Sequence, residues 1–106
     1  MTRWYNKKSE SLFNSILALK NIDEAKKFFR DLLSEQELIE MSKRWQAAQM
    51  LDQNISYLKI QKATGLSSTT VARISKWLSR GKGGYRLMLD RLGHHRESTS
   101  LGRRLR

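Results

Sequence analysis

The fold depends on the stretch "KATGLSSTTVARISKWLSRGK", residues 62–82. Its first glycine, Gly65, tolerates the positive φ that a sharp turn between two helices requires. Small hydroxyl residues follow this glycine, and either Ser67 or Ser68 can cap the start of a helix. Apolar and basic residues then continue as far as Gly81, where that helix is expected to end. The stretch therefore predicts two helices joined by a glycine turn.

A helical wheel divides the second of these helices into an apolar face and a basic face. At 100° per residue, Val71, Ile74 and Leu78 fall together and are expected to face the preceding helix. The opposite face consists of Thr69, Arg73, Lys76 and Arg80. A helical hairpin without a DNA-binding role could have the same glycine and cap, but its function would not require basic residues on one face of the second helix. The spacing of the glycine and the apolar residues favours a helix-turn-helix over about residues 56–80.

The first half of the chain has apolar residues at helical spacing, which predicts three amphipathic helices. Ser9 is a possible N-cap of the first helix, and Asp23 and Glu24 lie near the start of the second. At the start of the third helix, Ser34 and Glu37 form the S-x-x-E pattern of a capping box. This third helix is about five turns long, so we expect it to be the spine of the scaffold.

Two shorter helices complete the predicted architecture. Ser56 is expected to cap a fourth helix. The positions of this helix that are expected to face inward are Leu58, Ile60 and Ala63. A sixth helix begins near Tyr85 and is expected to end at Gly93. The sequence therefore predicts an all-α fold of about six helices, with one domain over residues 1–92 and a basic, disordered tail over residues 93–106.

The positive charge of the chain is concentrated in its second half. Residues 1–55 carry nine Lys or Arg against eight Asp or Glu, whereas residues 56–106 carry twelve against two. A net charge of +10 on the second half makes a polyanion such as nucleic acid the natural partner. An acidic protein or an anionic membrane surface would satisfy the electrostatics alone. In the tail, Arg103, Arg104 and Arg106 either add sequence-independent attraction to phosphate or are simply solvated.

Other features of the sequence restrict the compartment and the chemistry. No segment approaches the ~20 apolar residues that span a bilayer, so no membrane partner is expected. The N-terminus lacks the apolar stretch of a signal peptide, which makes the cytoplasm the expected location. The chain has no cysteine, and therefore no disulfide and no thiolate metal site. The adjacent His94 and His95 have no further ligands nearby, and the acidic residues form no general acid/base pair, so neither a metal nor enzyme activity is expected.

Exposed donors on the helix-turn-helix are the candidates for contact with DNA. Hydroxyl, guanidinium and ammonium groups can donate to base edges in the major groove and to phosphates. The candidates for base-edge contact are Thr69, Thr70, Arg73 and Lys76. The candidates for phosphate contact are Ser67, Ser68, Arg80, Lys82, Lys59 and Lys62. Backbone N–H groups at the start of the second helix also favour a phosphate.

An alternative function is a non-catalytic basic module that binds RNA or an acidic protein. Proteins that read RNA or single strands usually present aromatic residues among basic ones. Here only Trp77 lies near the edge of the basic face, and the rest of that face is hydroxyl and basic. This composition favours duplex DNA as the partner.

The segment "SYLKIQKATGLSSTTVARISKWL", residues 56–78, resembles the helix-turn-helix of the Trp repressor family. The matching features are the serine before the first helix, the glycine turn and the step Thr70–Val71–Ala72–Arg73. The ending formed by Leu78, Gly81 and Tyr85 is similar to that of the Trp-repressor-like YerC/YecD group. The resemblance covers about residues 10–92. It implies a transcriptional repressor that is an intertwined homodimer, with two reading helices in successive major grooves of a roughly palindromic operator.

The same resemblance argues against tryptophan as a corepressor. Arg73 and Thr70 match an arginine and a threonine of the tryptophan pocket in that family, but Lys43 stands where a second arginine is expected. A glycine and a small serine that leave room for the indole ring are replaced by Ile74 and Trp77. These bulky side chains are expected to fill the pocket, so no tryptophan cofactor is predicted, and either a different ligand or none is expected.

Overall fold

The computed structural model describes residues 2–99, with side chains described as far as residue 93. Within residues 2–99 the fold is all-α, with six helices and no strand. The helices are α1 (Lys7–Ala18), α2 (Ile22–Leu32), α3 (Glu35–Asp52), α4 (Tyr57–Thr64), α5 (Ser68–Arg80) and α6 (Gly84–Thr99). The predicted all-α architecture of six helices is confirmed.

The start of α1 differs from the prediction. Asn6 is the N-cap, and its side-chain oxygen accepts hydrogen bonds from the backbone N–H groups of Lys8 and Ser9. The hydroxyl of Ser9 accepts a hydrogen bond of 2.8 Å from the backbone N–H of Asn6, which completes a capping box. The predicted N-cap at Ser9 is therefore wrong. Asparagine caps as well as serine does, and the helix begins one turn earlier because Asn6 takes that role.

The capping box predicted at the start of α3 is confirmed. The backbone N–H of Ser34 donates to the Glu37 carboxylate over 2.8 Å, and the backbone N–H of Glu37 donates to the Ser34 hydroxyl over 3.1 Å. These two bonds satisfy N–H groups that have no partner within the helix. The hydrogen bond from the Ser34 backbone is the main cause that lowers the pKa of Glu37 below its ordinary value.

The chain divides into two compact units, with the boundary between Ile39 and Glu40. In the first unit, neither α1 nor α2 has a buried residue. Their apolar stripes remain half-buried or exposed, and the most exposed large side chains are Leu17 at 81% and Ile22 at 75%.

The second unit contains the hydrophobic core. The buried residues of this core are Ala47, Ala48, Ile60, Leu66, Val71 and Ile74. The two alanines belong to the C-terminal half of α3, and they share this cluster with buried side chains of α4 and α5. The partly buried side chains packed around this core are Trp45, Met50, Leu51, Ile55 and Tyr85.

The inward face of α4 is narrower than predicted. Of the three positions expected to face inward, only Ile60 is buried, while Leu58 is 62% exposed and Ala63 is also exposed. The second buried residue of this helix is Thr64, one turn after Ile60. The buried side of α4 is the one that carries Ile60 and Thr64. Leu58 lies about 200° around the helix from Ile60, so it points away from the core.

The last helix is longer than predicted, because α6 continues through Gly93 to Thr99. Gly93 does not have the positive φ of a glycine cap, so the glycine is accommodated within the helix. Near the start of α6, the Arg86 guanidinium donates to Asp52 over 3.0 Å and to Asp90 over 3.1 Å. The contact with Asp52 links α6 to the end of α3.

The C-terminal predictions lie partly outside the described residues. Arg103, Arg104 and Arg106 are not among them, and neither are the side chains of His94 and His95. The division into a domain over 1–92 and a basic tail over 93–106 therefore stays a prediction. Among the residues that the structure describes, no helix is both long and apolar enough to span a membrane.

Candidate nucleic-acid interface

The turn between α4 and α5 has the geometry that the sequence predicts. Gly65 adopts φ 78° and ψ 4°, a left-handed conformation that favours glycine, and its N–H donates to the Gln61 carbonyl over 2.8 Å. Two residues later, Ser67 is the N-cap of α5, and its hydroxyl accepts a 3.1 Å hydrogen bond from the backbone N–H of Thr70. The glycine turn and the serine cap are both confirmed.

Thr64 stabilises this turn, a role that was not predicted from the sequence. Thr64 is 5% exposed, and among residues 2–93 it is the one polar residue that is buried. The hydroxyl donates to the Ile60 carbonyl over 2.7 Å and accepts from the backbone N–H of Leu66 over 3.2 Å. The position of Thr64, one turn after Ile60, could have indicated its burial. Its hydroxyl provides the partner that the Leu66 N–H needs in a buried turn.

The two faces of α5 have the predicted exposure. Val71 and Ile74 are completely buried on the side of α4, and Leu78 is half-buried. The exposed residues of the opposite side are Thr69, Arg73, Lys76 and Arg80. They lie within an arc of about 60°, since their spacing of four, seven and eleven residues is close to whole turns. The core therefore fixes which side of α5 points outward, and that side is hydroxyl and basic.

Thr70 differs from the other candidates for base contact. Its side chain is half-buried, and its hydroxyl accepts a 3.0 Å hydrogen bond from Ser67, whose own hydroxyl also caps the helix. The structure thus places Thr70 beside the N-cap, about 100° around the helix from Thr69. Its hydroxyl is less available to a base edge than that of Thr69, which is exposed.

The candidates for phosphate contact lie on α4, on α5 with its N-cap, and just beyond the end of α5. Ser67 and Ser68 are exposed at the start of α5, and Arg80 is exposed at its end. Lys82 is exposed just beyond the helix. On α4, Lys59 and Lys62 are exposed one turn apart. All six are accessible, so the exposure of their side chains is compatible with contact to phosphate.

The segment that contains α4, α5 and the described part of α6 is rich in positive charge. Residues 56–93 contain eight Lys or Arg and a single acidic residue, Asp90, which pairs with Arg86. Within residues 2–93, no carboxylate forms an ion pair with Arg73, Lys76 or Arg80. Their charges remain available to an external polyanion, because no internal partner neutralises them.

The end of α5 depends on Gly81. Its N–H donates to the Trp77 carbonyl over 2.8 Å and closes the last turn of the helix. A Cβ atom at this position would collide with the same carbonyl oxygen and would lie 3.0 Å from the Trp77 Cα. Gly83, two residues later, has a φ of 90°. These two glycines lie in the three-residue connection between α5 and α6, where the backbone adopts conformations that exclude or disfavour a Cβ atom.

An open cleft of about 870 Å³ lies beside the C-terminal end of α5. Its residues are Trp45, Lys76, Trp77, Arg80, Gly81, Lys82, Gly84, Tyr85 and Met88. Tyr85 stacks on Trp45 with 6.3 Å between the ring centroids, and burial raises the pKa of the Tyr85 hydroxyl. This stack shows that Tyr85 packs against the protein core. Trp77 is 41% exposed in the cleft, whereas Ile74 is entirely buried, so the two residues expected to fill a corepressor pocket have different environments.

The fold and this surface together define an all-helical DNA-binding regulator with a helix-turn-helix. The chain belongs to the Trp repressor family, since the model of that family, described as Trp repressor protein, matches residues 7–93. The resemblance of residues 56–78 to this family is thereby confirmed.

Individual relatives agree with this assignment. The uncharacterized protein YerC of Bacillus subtilis (strain 168) is 38% identical over 86 residues, which are 81% of this chain and 83% of YerC. A TrpR-like protein from Eubacterium eligens ATCC 27750, whose crystal structure is known, has 37% sequence identity to this chain. The two structures superpose with a TM-score of 0.81 over 86% of this chain and 94% of the other. A protein from Staphylococcus aureus, whose crystal structure is also known, has 31% sequence identity to this chain. Its structure superposes with a TM-score of 0.80 over 88% of this chain and 96% of its own.

Proposed function

We propose that this protein is a transcriptional repressor that binds a specific sequence of duplex DNA by inserting α5 into the major groove. The observation that carries the proposal is the exposed face of α5, on which Thr69, Arg73 and Lys76 point outward from a helix anchored by buried Val71 and Ile74. An α-helix has the diameter that the major groove admits, and these side chains supply donors for base edges.

The proposed contacts divide into two classes. Base-edge contacts come from Thr69, Arg73 and Lys76, with Thr70 in a smaller role because its hydroxyl is engaged at the N-cap. Phosphate contacts come from the exposed residues that flank this face, namely Ser67, Ser68, Arg80, Lys82, Lys59 and Lys62. The first class sets the sequence preference, and the second sets the position and the salt dependence of binding.

The repressor is proposed to act as a homodimer on a roughly palindromic operator. The chain by itself leaves large apolar side chains exposed on both α1 and α2, including Leu17 and Ile22. A second copy of the chain would remove such surface from water. Two copies related by a two-fold axis would present two α5 helices to two half-sites, so the operator would share that symmetry. Occupation of an operator that overlaps a promoter would block transcription.

Selection from a random duplex library tests the proposal. We expect an enriched, roughly palindromic motif, whose preference is relaxed by Arg73→Ala, whereas Lys82→Ala weakens binding to all sequences alike. A library that yields no enriched motif would contradict specific DNA binding. Competition between the selected duplex and a structured RNA at physiological salt tests the alternative, in which the basic half binds RNA.

Tryptophan is not proposed as an effector. The position that would need to be small for an indole ring is Ile74, and its side chain is completely buried in the core. We expect the affinity for the selected operator to be the same with and without tryptophan. An increase of tenfold or more upon adding tryptophan would overturn this expectation.

A further inference from the structure

The reading helix lacks two kinds of side chain that recognise bases. The sequence of α5 is STTVARISKWLSR, and it contains no asparagine, glutamine, aspartate or glutamate. In the major groove, asparagine and glutamine form bidentate contacts with adenine, and the carboxylates accept hydrogen bonds from the amino group of cytosine. This helix has no side chain for either of these contacts.

The groups that α5 does expose have a restricted preference. Arginine and lysine are donors only, and the base that presents two acceptors in the major groove, N7 and O6, is guanine. The methyl group of Thr69 and the side chain of Ala72, both exposed, can contact the methyl group of thymine. The hydroxyl groups of serine and threonine can either donate or accept a hydrogen bond, so they discriminate only weakly between bases.

The backbone of α5 fixes the spacing of its exposed side chains. Thr69, Arg73 and Lys76 lie on one side of the helix, and the rise of 1.5 Å per residue places the first and last about 10 Å apart along its axis. Where the axis of α5 runs along the groove, the three side chains span about three base pairs, because base pairs repeat every ~3.4 Å. Arg73 and Lys76 are about 4.5 Å apart along the axis, which corresponds to neighbouring or next-neighbouring base pairs.

We propose that each half-site of the operator is read through guanines and thymines only, with Arg73 on one guanine and Lys76 on a second within about three base pairs. A thymine lies beside Thr69 and Ala72. This inference rests on the proposed function, since it requires α5 to lie in the major groove. No side chain of α5 makes a bidentate contact with adenine or accepts a hydrogen bond from the amino group of cytosine.

The first test is a change of specificity rather than a loss of affinity. Selection with Arg73→Gln should replace the guanine opposite residue 73 by adenine, because glutamine matches adenine as arginine matches guanine. The matched control is Arg80→Gln, which removes the same charge from the same face two turns further on. The control should weaken binding to all sequences and leave the selected bases unchanged.

The second test removes single atoms of the base. In the selected operator, 7-deazaguanine at the position read by Arg73 replaces the N7 acceptor by C–H and keeps O6. It should therefore reduce the affinity of the wild-type protein several-fold, which is part of the roughly 5- to 150-fold range of a whole bidentate base contact. The affinity of Arg73→Ala should not change with this analogue, since the contact is already absent. Deoxyuridine in place of the thymine should reduce affinity by a smaller factor, because it lacks only the methyl group.

The outcomes separate this inference from the proposed function. An enriched motif that tolerates 7-deazaguanine, and whose bases are unchanged by Arg73→Gln, would show that Arg73 does not read guanine and would overturn this inference. Specific DNA binding would survive that result. A selection that enriches no motif with the wild-type protein would overturn both.

Discussion

The helix-turn-helix and the two helices at the start of the chain bury their apolar residues to very different extents. In the helix-turn-helix, Ile60, Val71 and Ile74 have no exposed surface, and they pack on Ala47 and Ala48 of α3. In α1 and α2, no residue is buried, although both helices have regular apolar stripes. Similar patterns in the sequence therefore lead to a packed core in one region and to exposed apolar surface in the other.

The difference shows where the chain can specify its own structure. The orientation of α5 follows from contacts within one chain, so its outward face is fixed without a partner. The apolar stripes of α1 and α2 have no comparable contacts, and burial of this surface would require a further protein surface. The proposed homodimer gives these stripes a role, while the reading surface belongs to each subunit separately.

The largest expected effect comes from breaking the core of the helix-turn-helix. Ile74→Ala removes a completely buried side chain and should lower the free energy of unfolding by about 2–5 kcal/mol. Urea denaturation followed by circular dichroism measures the change. The matched control is Leu58→Ala on α4, where the side chain is 62% exposed, and we expect a change within about 0.5 kcal/mol. Equal losses for both variants would contradict the burial pattern that distinguishes this region.

A smaller effect is expected from Thr64→Val, which keeps the shape of the side chain but removes its hydroxyl. The Leu66 N–H then loses its partner in a buried turn, so the free energy of unfolding should fall by about 1–3 kcal/mol. Thr64→Ser retains the hydroxyl and should recover most of this loss. If the valine variant were as stable as the wild type in urea denaturation, the two hydrogen bonds of Thr64 would have no role in stabilising the turn.

A third effect is expected in α1 and α2, where no residue is buried. Leu17→Asp places a charge on the most exposed large apolar side chain, and it should raise the dissociation constant of the proposed dimer at least tenfold, or about 1.4 kcal/mol. Sedimentation equilibrium over a range of protein concentrations measures this constant. Leu58→Asp, on the exposed side of α4, is the matched control and should leave dimerisation unchanged. Dimerisation that is equally strong in the Leu17 variant would mean that this part of α1 does not lie in the interface.

The same comparison explains which parts of the structure could be predicted from the sequence. Gly65, Ser67 and the capping box of Ser34 and Glu37 were predictable because glycine turns and caps depend on a few neighbouring residues. Ser9 failed as an N-cap because Asn6, one turn earlier, competes for the same role.

Burial was harder to predict than local structure. The exposure of Leu58 depends on where α3 and α5 pack against α4, and hydrophobicity alone does not determine this. Thr64 was missed since a polar residue is expected at the surface, whereas here its hydroxyl is satisfied inside the turn. The extension of α6 beyond Gly93 shows that a glycine ends a helix only where the backbone adopts the conformation of a cap.

The smallest expected effect concerns acid stability at the start of α3. Hydrogen bonds from Ser34 lower the pKa of Glu37, so its carboxylate stabilises the fold above the pKa of the unfolded chain, about 4.3, and this contribution is lost as the pH falls through the lower folded value. Glu37→Gln keeps an acceptor for the Ser34 N–H but cannot titrate in this range. The free energy of unfolding, measured by urea denaturation between about pH 6 and 3, should therefore decrease slightly more for the wild type than for the variant. Parallel curves would show that the capping box is equally stable with a protonated carboxyl group, so that its hydrogen bonds and not the charge of Glu37 hold the start of α3.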